Sequence, residues 1–154
     1  MDLVIHVGLQ ASGKSTFRMA EYPKHSVVSK DMMGRDRKSG VSKSARQAQL
    51  IREDLSAGRS VIVDNTNVTL EERAELIQLG REYSAWVVGY HFRCSTQQSL
   101  DRNSRRSGKA LVPRVGIIEK AKLFVAPTLA EGFDELYEVV WGPEKTFLRA
   151  SVLV

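Results

Sequence analysis

An apolar run at residues 3–7 passes directly into Gly8-Leu9-Gln10-Ala11-Ser12-Gly13-Lys14-Ser15-Thr16, and an amphipathic stretch follows to Glu21. Few local patterns restrict a fold so strongly. The run has the length and composition of a buried strand. The glycines free the backbone to curl, so that successive N–H groups can converge on one point. The helix that begins after them aims its own unpaired N–H groups at the same point. Strand, loop and helix in this order make an anion cradle, and the spacing G-x-x-x-x-G-K-S is that of a phosphate-binding P-loop. The expected ligand is a nucleoside triphosphate such as ATP. The loop from Gly8 through Ala11, Ser12, Gly13 and Thr16 would cradle its phosphates, Lys14 would reach the terminal ones, and the Ser15 hydroxyl would serve Mg²⁺.

The rest of the chain continues the alternation. Residues 26–29, 61–63, 85–92 and 136–140 read as strands, the last of these closing the series. Residues 42–57 read as a helix with Ala48, Ile51 and Leu55 on one face and Gly58 after it. Thr69 and Glu72 form a capping box for a helix to about Glu82, with Leu70, Ala74 and Ile77 toward the core. Ser95 and Gln98 form another, opening a helix to about Arg106, and Pro113 suits the first turn of a helix through Phe124. Repeated β-α-β units predict an α/β fold: a central parallel sheet with helices on both faces, one P-loop domain over residues 1–154 and a basic flap at about 102–114. Ligands then gather at the carboxyl ends of the strands.

Composition removes several alternatives. The single cysteine, Cys94, excludes a disulfide framework and a thiolate metal cluster. No apolar run approaches the roughly 20 residues of a membrane span, and residues 1–15 are claimed by strand and loop rather than by a signal peptide. No membrane partner is expected, and a reducing, cytoplasmic setting is, or the host cytoplasm for a phage-encoded chain. His6, His25 and His91 lack metal-ligand spacing. The balance of 23 basic against 18 acidic residues, +5 overall, suits an anionic partner.

Three further segments leave strand ends at the P-loop edge. Lys30-Asp31 places a carboxylate where a general base could take the proton of an alcohol acceptor, and Asp31 is the candidate; the alternative is a helix cap or turn residue. Val63-Asp64-Asn65-Thr66-Asn67 ends an apolar strand on an aspartate. Asp64 could support the Mg²⁺ shell, orient an arginine of the acceptor site, or form an Asx turn. Asn65, Thr66 and Asn67 could bind phosphate or ribose. From Arg102 to Ile118 there is no acidic residue, while Arg102, Arg105, Arg106, Lys109 and Arg114 are basic. Arg102 and Arg106 would share a helical face and neutralise charge on a transferred phosphoryl group. Residues 34–43 form a basic, Gly/Ser-rich loop beside Asp31, fit for a nucleic acid backbone.

Taken in order, the P-loop, Lys30-Asp31, Asp64-Asn65-Thr66-Asn67, Arg102-Asn103-Ser104-Arg105-Arg106, Lys109-Ala110-Leu111-Val112-Pro113 and the stretch from Phe124 to Phe133 resemble polynucleotide 5′-hydroxyl kinases. The arginine flap is similar to that of the phage and bacterial enzymes. The Ala-Pro-Thr-Leu-Ala-Glu-Gly-Phe stretch is similar to the kinase domain of polynucleotide kinase-phosphatases. The resemblance implies transfer of the γ-phosphate of ATP or another NTP to the 5′-OH end of DNA or RNA. It implies Asp31 as base, Arg106 with Arg102 on the donor phosphates, Asp64 in the site, and the C-terminal stretch near the donor nucleobase. The family's acceptor-binding arginine lies three residues after the base, where this chain has Gly34, and Arg35 follows it. No Asp-x-Asp-x-Thr phosphatase motif or Lys-x-Asp-Gly ligase motif is present. Two other functions remain: a small-molecule or nucleoside kinase on the same fold, and a nucleotide-gated nucleic-acid binding module without catalysis. The oligomeric state is open, and the apolar tail at residues 152–154 permits a homodimer.

Overall fold

The structure, a computed structural model, describes residues 1–34, 38–142 and 146–152. Six strands form one sheet in the order β2 (Ser26–Val28), β3 (Val61–Val63), β1 (Asp2–Val7), β4 (Trp86–Phe92), β5 (Glu135–Trp141) and β6 (Phe147–Ser151). The first five are parallel, with Ile5 opposite Val63 on one side and Gly89 on the other. Strand β1 is central, so both its faces are buried, which is why its sequence is apolar without alternation.

Alternate side chains feed two cores. Leu3, Ile5, Val7, Val61, Val63 and Val87 pack beneath α2 (Lys43–Ser56) and α3 (Leu70–Glu82). Val4, Ile62, Val88, Tyr90, Phe92 and Val139 pack around Phe17 of α1 (Lys14–Glu21). Burying this many branched and aromatic side chains, at about 1.5–3 kcal/mol each, fixes strand register, because a slip of one residue would exchange the two faces.

The expected elements form with four corrections. The strand at residues 136–140 is not the last: β6 returns antiparallel to β5, with Phe147 opposite Trp141 and Ser151 opposite Tyr137. Its residues are mostly exposed, so no buried-strand pattern marked it. Val152 is not an exposed tail residue; its N–H donates to the Leu136 carbonyl and its side chain packs on the core, while residues 153–154 lie outside the described residues. The buried face of α3 runs through Arg73, Leu76, Ile77 and Gly80, leaving Leu70 and Ala74 exposed. Gly80 sets that rotation: a Cβ there would lie 2.7 Å from a Val87 methyl, so only glycine lets the helix close on β4. Finally, α4 (Thr96–Ser104) stops before Arg106, which follows the C-cap Arg105. Both sequence-derived capping boxes are present with both hydrogen bonds.

Candidate active site

The P-loop joins β1 to α1 at the centre of the sheet's carboxyl edge. Gly13 caps α1 in the left-handed region at φ 95°, and a Cβ on it would run into the indole of Trp141 at the end of β5. Both conditions demand glycine. The Trp141 indole N–H donates to the Ser12 carbonyl, 3.2 Å, bracing the loop. Lys14 lies buried across the loop, with Nζ donating to the Gly8 carbonyl (2.9 Å), the Leu9 carbonyl and Ser12 Oγ (3.2 Å). Burial lowers its pKa to about 8 against the pull of Asp64, and Arg106 adds to the lowering.

Asp64 leaves β3 beside α1 and collects three partners. Its Oδ2 accepts from Ser15 Oγ at 2.9 Å and from Arg18 Nε at 3.1 Å; its Oδ1 meets His6 Nδ1 at 3.3 Å. Burial raises its pKa, but the bonds and charge of His6, Ser15 and Lys14 outweigh that and hold it near 2. Burial lowers the His6 pKa against the pull of Asp64, and its ring lies edge-on to Phe92. Ser15 and Asp64 thus stand together as two oxygen donors. Among the described residues no group of three or more His, Cys, Asp or Glu side chains could hold a metal. That donor set fits a hard cation carried mostly by phosphate and water, as Mg²⁺ is.

A cleft of about 410 Å³ opens over these groups, lined by Lys14, Ser15, Thr16, Arg18, Asp31, Lys43, Asp64, Asn65, Thr66, Arg106 and Lys109 among others. Asp31 reaches it from a 3₁₀ turn, Lys30–Met32, that follows β2. Asn65 fixes the turn: its Oδ1 accepts from the Lys30 N–H at 2.8 Å, and its Nδ2 donates to Gln47 of α2. Thr66 accepts the Gly8 N–H through its backbone carbonyl at 2.9 Å. Asn67 turns away from the cleft, buried at φ 45° with its amide on the His6 carbonyl. Arg35 lies outside the described residues, as do residues 36 and 37 of the basic loop.

The two flap arginines separate. Arg106 lines the cleft with Asp31, whereas Arg102, in the last turn of α4, turns to the opposite flank of the P-loop. There its guanidinium lies over the Trp141 ring at 5.9 Å and its Nη1 points to the Ala11 carbonyl. A helix ending at Ser104 removes the shared face on which their pairing rested. Arg102 and Trp141 border a second cavity of about 610 Å³, with Leu9, Cys94, Gln98 and Phe124 on its walls. The C-terminal stretch contributes only Phe124 to that wall. Glu131 instead takes both Nε and Nη2 of the fully buried Arg73, at 2.7 and 2.9 Å, while Arg73 Nη1 holds the Asn67 carbonyl at 3.0 Å. Its function here is to brace the β3 loop.

Arg18 and Trp141 were not singled out from the sequence, whereas Lys43 ends the basic loop at residues 34–43. The signal for Arg18 was its position one turn after Ser15 on the same helix; Trp141 lay beyond any motif.

Strand order, P-loop and cleft define a nucleotide-binding protein of the P-loop kinase fold. A family model described as an AAA domain matches residues 3–116, and the chain belongs to that family. It is 28% identical over 143 residues to the bifunctional polynucleotide phosphatase/kinase of Schizosaccharomyces pombe (strain 972 / ATCC 24843). That match covers 90% of this chain and 33% of the relative, so the chain spans about a third of the relative's length. Among solved structures, Chaetomium thermophilum Kti12 in complex with ADP-AlF3 superposes with a TM-score of 0.71 at 15% identity, covering 93% of this chain and 91% of that one. A gluconokinase from Sinorhizobium meliloti 1021 superposes at 0.62 with 16% identity, covering 90% and 82%. At such identities these two likenesses are of fold. Among the described residues no helix is long and apolar enough to cross a membrane.

Proposed function

We propose that the protein is a polynucleotide 5′-kinase that transfers the γ-phosphate of ATP or another NTP to the 5′-OH of DNA or RNA. The observation that carries the reading is one cleft holding the P-loop Lys14 and Ser15, the carboxylate Asp31 and the flap cation Arg106. The S. pombe relative, a polynucleotide phosphatase/kinase by name, supports it. The acceptor 5′-oxygen attacks the γ-phosphorus as the bond to the β,γ-bridging oxygen breaks, and the electron pair leaves with the nucleoside diphosphate. Asp31 takes the hydroxyl proton. Lys14 leaves the loop carbonyls for the triphosphate, and Arg106 faces the charge of the phosphoryl group in transfer. Ser15 and Asp64 would hold Mg²⁺, which offsets phosphate charge when bound. Arg102, beside Trp141, serves the flank of the donor rather than the transferred group.

A nucleoside or small-molecule kinase is the second reading, since a cleft of about 410 Å³ admits a compact acceptor as well. The test offers γ-labelled ATP and Mg²⁺ with a 5′-OH oligonucleotide, the same oligonucleotide already 5′-phosphorylated, and a panel of free nucleosides and sugars, with Lys14→Ala as control. Label on the 5′-OH oligonucleotide that disappears in Lys14→Ala supports the kinase proposed. Label confined to a small acceptor supports the second reading, and intact ATP binding without any transfer would sink both.

A further inference from the structure

His6 is a polar residue in the middle of an apolar strand, and it is fully buried. On the same face of β1 as Val4, its ring packs edge-to-face against Phe17, Tyr90 and Phe92, with centroids 6.0, 6.3 and 4.8 Å away. One ring nitrogen is used: Nδ1 meets Asp64 Oδ1 at 3.3 Å. An ionised carboxylate can only accept, so Nδ1 donates. The other nitrogen, Nε2, is buried and has no hydrogen-bond partner among the described residues. A buried polar atom without a partner destabilises a fold, and an aliphatic side chain would fill the same space without that penalty. Core packing therefore gives no reason for a histidine at this position, whereas the bond to Asp64 does.

That bond decides which oxygen of Asp64 faces the cleft. Ile5 lies opposite Val63, so His6 and Asp64 come next on two adjacent strands. The His6 carbonyl accepts from Asn67 Nδ2 at 2.8 Å, which ties the loop after β3 to the same residue a second time. With Oδ1 turned inward to the ring, Oδ2 is left to Ser15 Oγ at 2.9 Å and Arg18 Nε at 3.1 Å, where Asp64 lines the cleft. A hydrogen-bond partner behind a metal-binding carboxylate fixes its orientation, and losing such a partner weakens metal binding by roughly 10- to 100-fold. We propose that His6 is a positioning residue: it holds Asp64 with Oδ2 beside Ser15 and so couples Mg²⁺ to nucleotide binding. This rests on the reading of Ser15 and Asp64 as the Mg²⁺ donors.

The experiment measures, by calorimetry, the Kd of a non-hydrolysable ATP analogue with MgCl₂ and with EDTA. It compares the unsubstituted protein, His6→Leu and His6→Asn, each first shown by melting to be folded. Mg²⁺ is expected to tighten binding in the unsubstituted protein. That gain should fall about 10-fold in His6→Leu, with the EDTA value unchanged. His6→Asn, whose Nδ2 can stand where the ring Nδ1 stood, is expected to keep most of the gain. An undiminished gain in His6→Leu overturns the proposal, and so does a His6→Asn that falls as far as His6→Leu. Equal weakening with and without Mg²⁺ overturns it as well, since a purely structural role would act on both. A second readout needs no substitution and carries the test should His6→Leu not fold: nitrogen NMR spectra of the unsubstituted protein are expected to show His6 Nδ1 protonated, and a bare Nδ1 would overturn the proposal. An unsubstituted protein whose affinity ignores Mg²⁺ would instead remove Ser15 and Asp64 as its donors, the reading beneath.

Discussion

Lys14, proposed to meet the triphosphate, costs the fold that carries it. In a nucleotide-free loop it is a buried ammonium whose pKa is lowered to about 8. The folded state therefore binds its proton less tightly than the unfolded chain does, and the penalty is full below pH 8. It is relieved as the pH rises from about 8 toward 10.5, for a total of about 3 kcal/mol. Denaturant melts without nucleotide are thus expected to show Lys14→Met gaining stability over the unsubstituted protein at pH 7, with the gain shrinking by pH 10. Asp64 behaves oppositely. Its depressed pKa contributes stability above about pH 4, and up to about 2 kcal/mol of this is lost as the pH falls to about 2. An acid titration of Asp64→Asn should lack that component. Asp31 is exposed and borne on a turn. Asp31→Asn is expected to lower turnover by about 10²- to 10⁴-fold while nucleotide affinity and melting temperature hold; full activity would exclude it as the base.

The flap is an element clipped at its base by a buried side chain. Asn103, buried on α4, accepts from the Val112 N–H at 2.9 Å and donates to the Val112 carbonyl at 2.7 Å, as a strand neighbour would. This clip closes residues 104–111 into a loop and brings Arg106 and Lys109 over the cleft. Asn103→Ala removes both bonds, at about 1–3 kcal/mol for the buried groups left unpaired. Its expected signature is a drop in kcat comparable to that of Arg106→Ala, with rapid proteolysis at the flap; turnover equal to the unsubstituted protein would show that the clip does not position Arg106. Such contacts bound what a sequence discloses. The P-loop, both capping boxes and the five parallel strands are local patterns, and each was readable. The clip, the separation of Arg102 from Arg106, the Trp141 brace and the Arg73–Glu131 pair join residues far apart or depend on where a helix stops, and no periodicity announces them. Strand β6 escaped for the related reason that an edge strand buries little.

Over the whole molecule, the two cavities flank one loop. On one side, Arg102 and Trp141 border about 610 Å³; on the other, Asp31, Arg18, Lys43, Arg106 and Lys109 border about 410 Å³. The second side carries five cations, counting Lys14, against Asp31 and Asp64. A single nucleotide would meet only the innermost of these charges, whereas a longer strand would extend onto Lys43 and Lys109, both exposed. Each backbone phosphate neutralised releases bound counterions, so log kcat/KM should fall with log salt by about 0.7 per contact on a single strand. For a 5′-OH decanucleotide the slope is therefore expected to exceed that for a nucleoside 3′-monophosphate by about 1 to 2. Lys43→Ala and Lys109→Ala should each reduce the difference by about 0.7, with little change in the slope for the mononucleotide. Equal slopes for long and short acceptors would mean that the chain follows no strand beyond its terminal nucleotide, and the exposed lysines would then serve solubility alone.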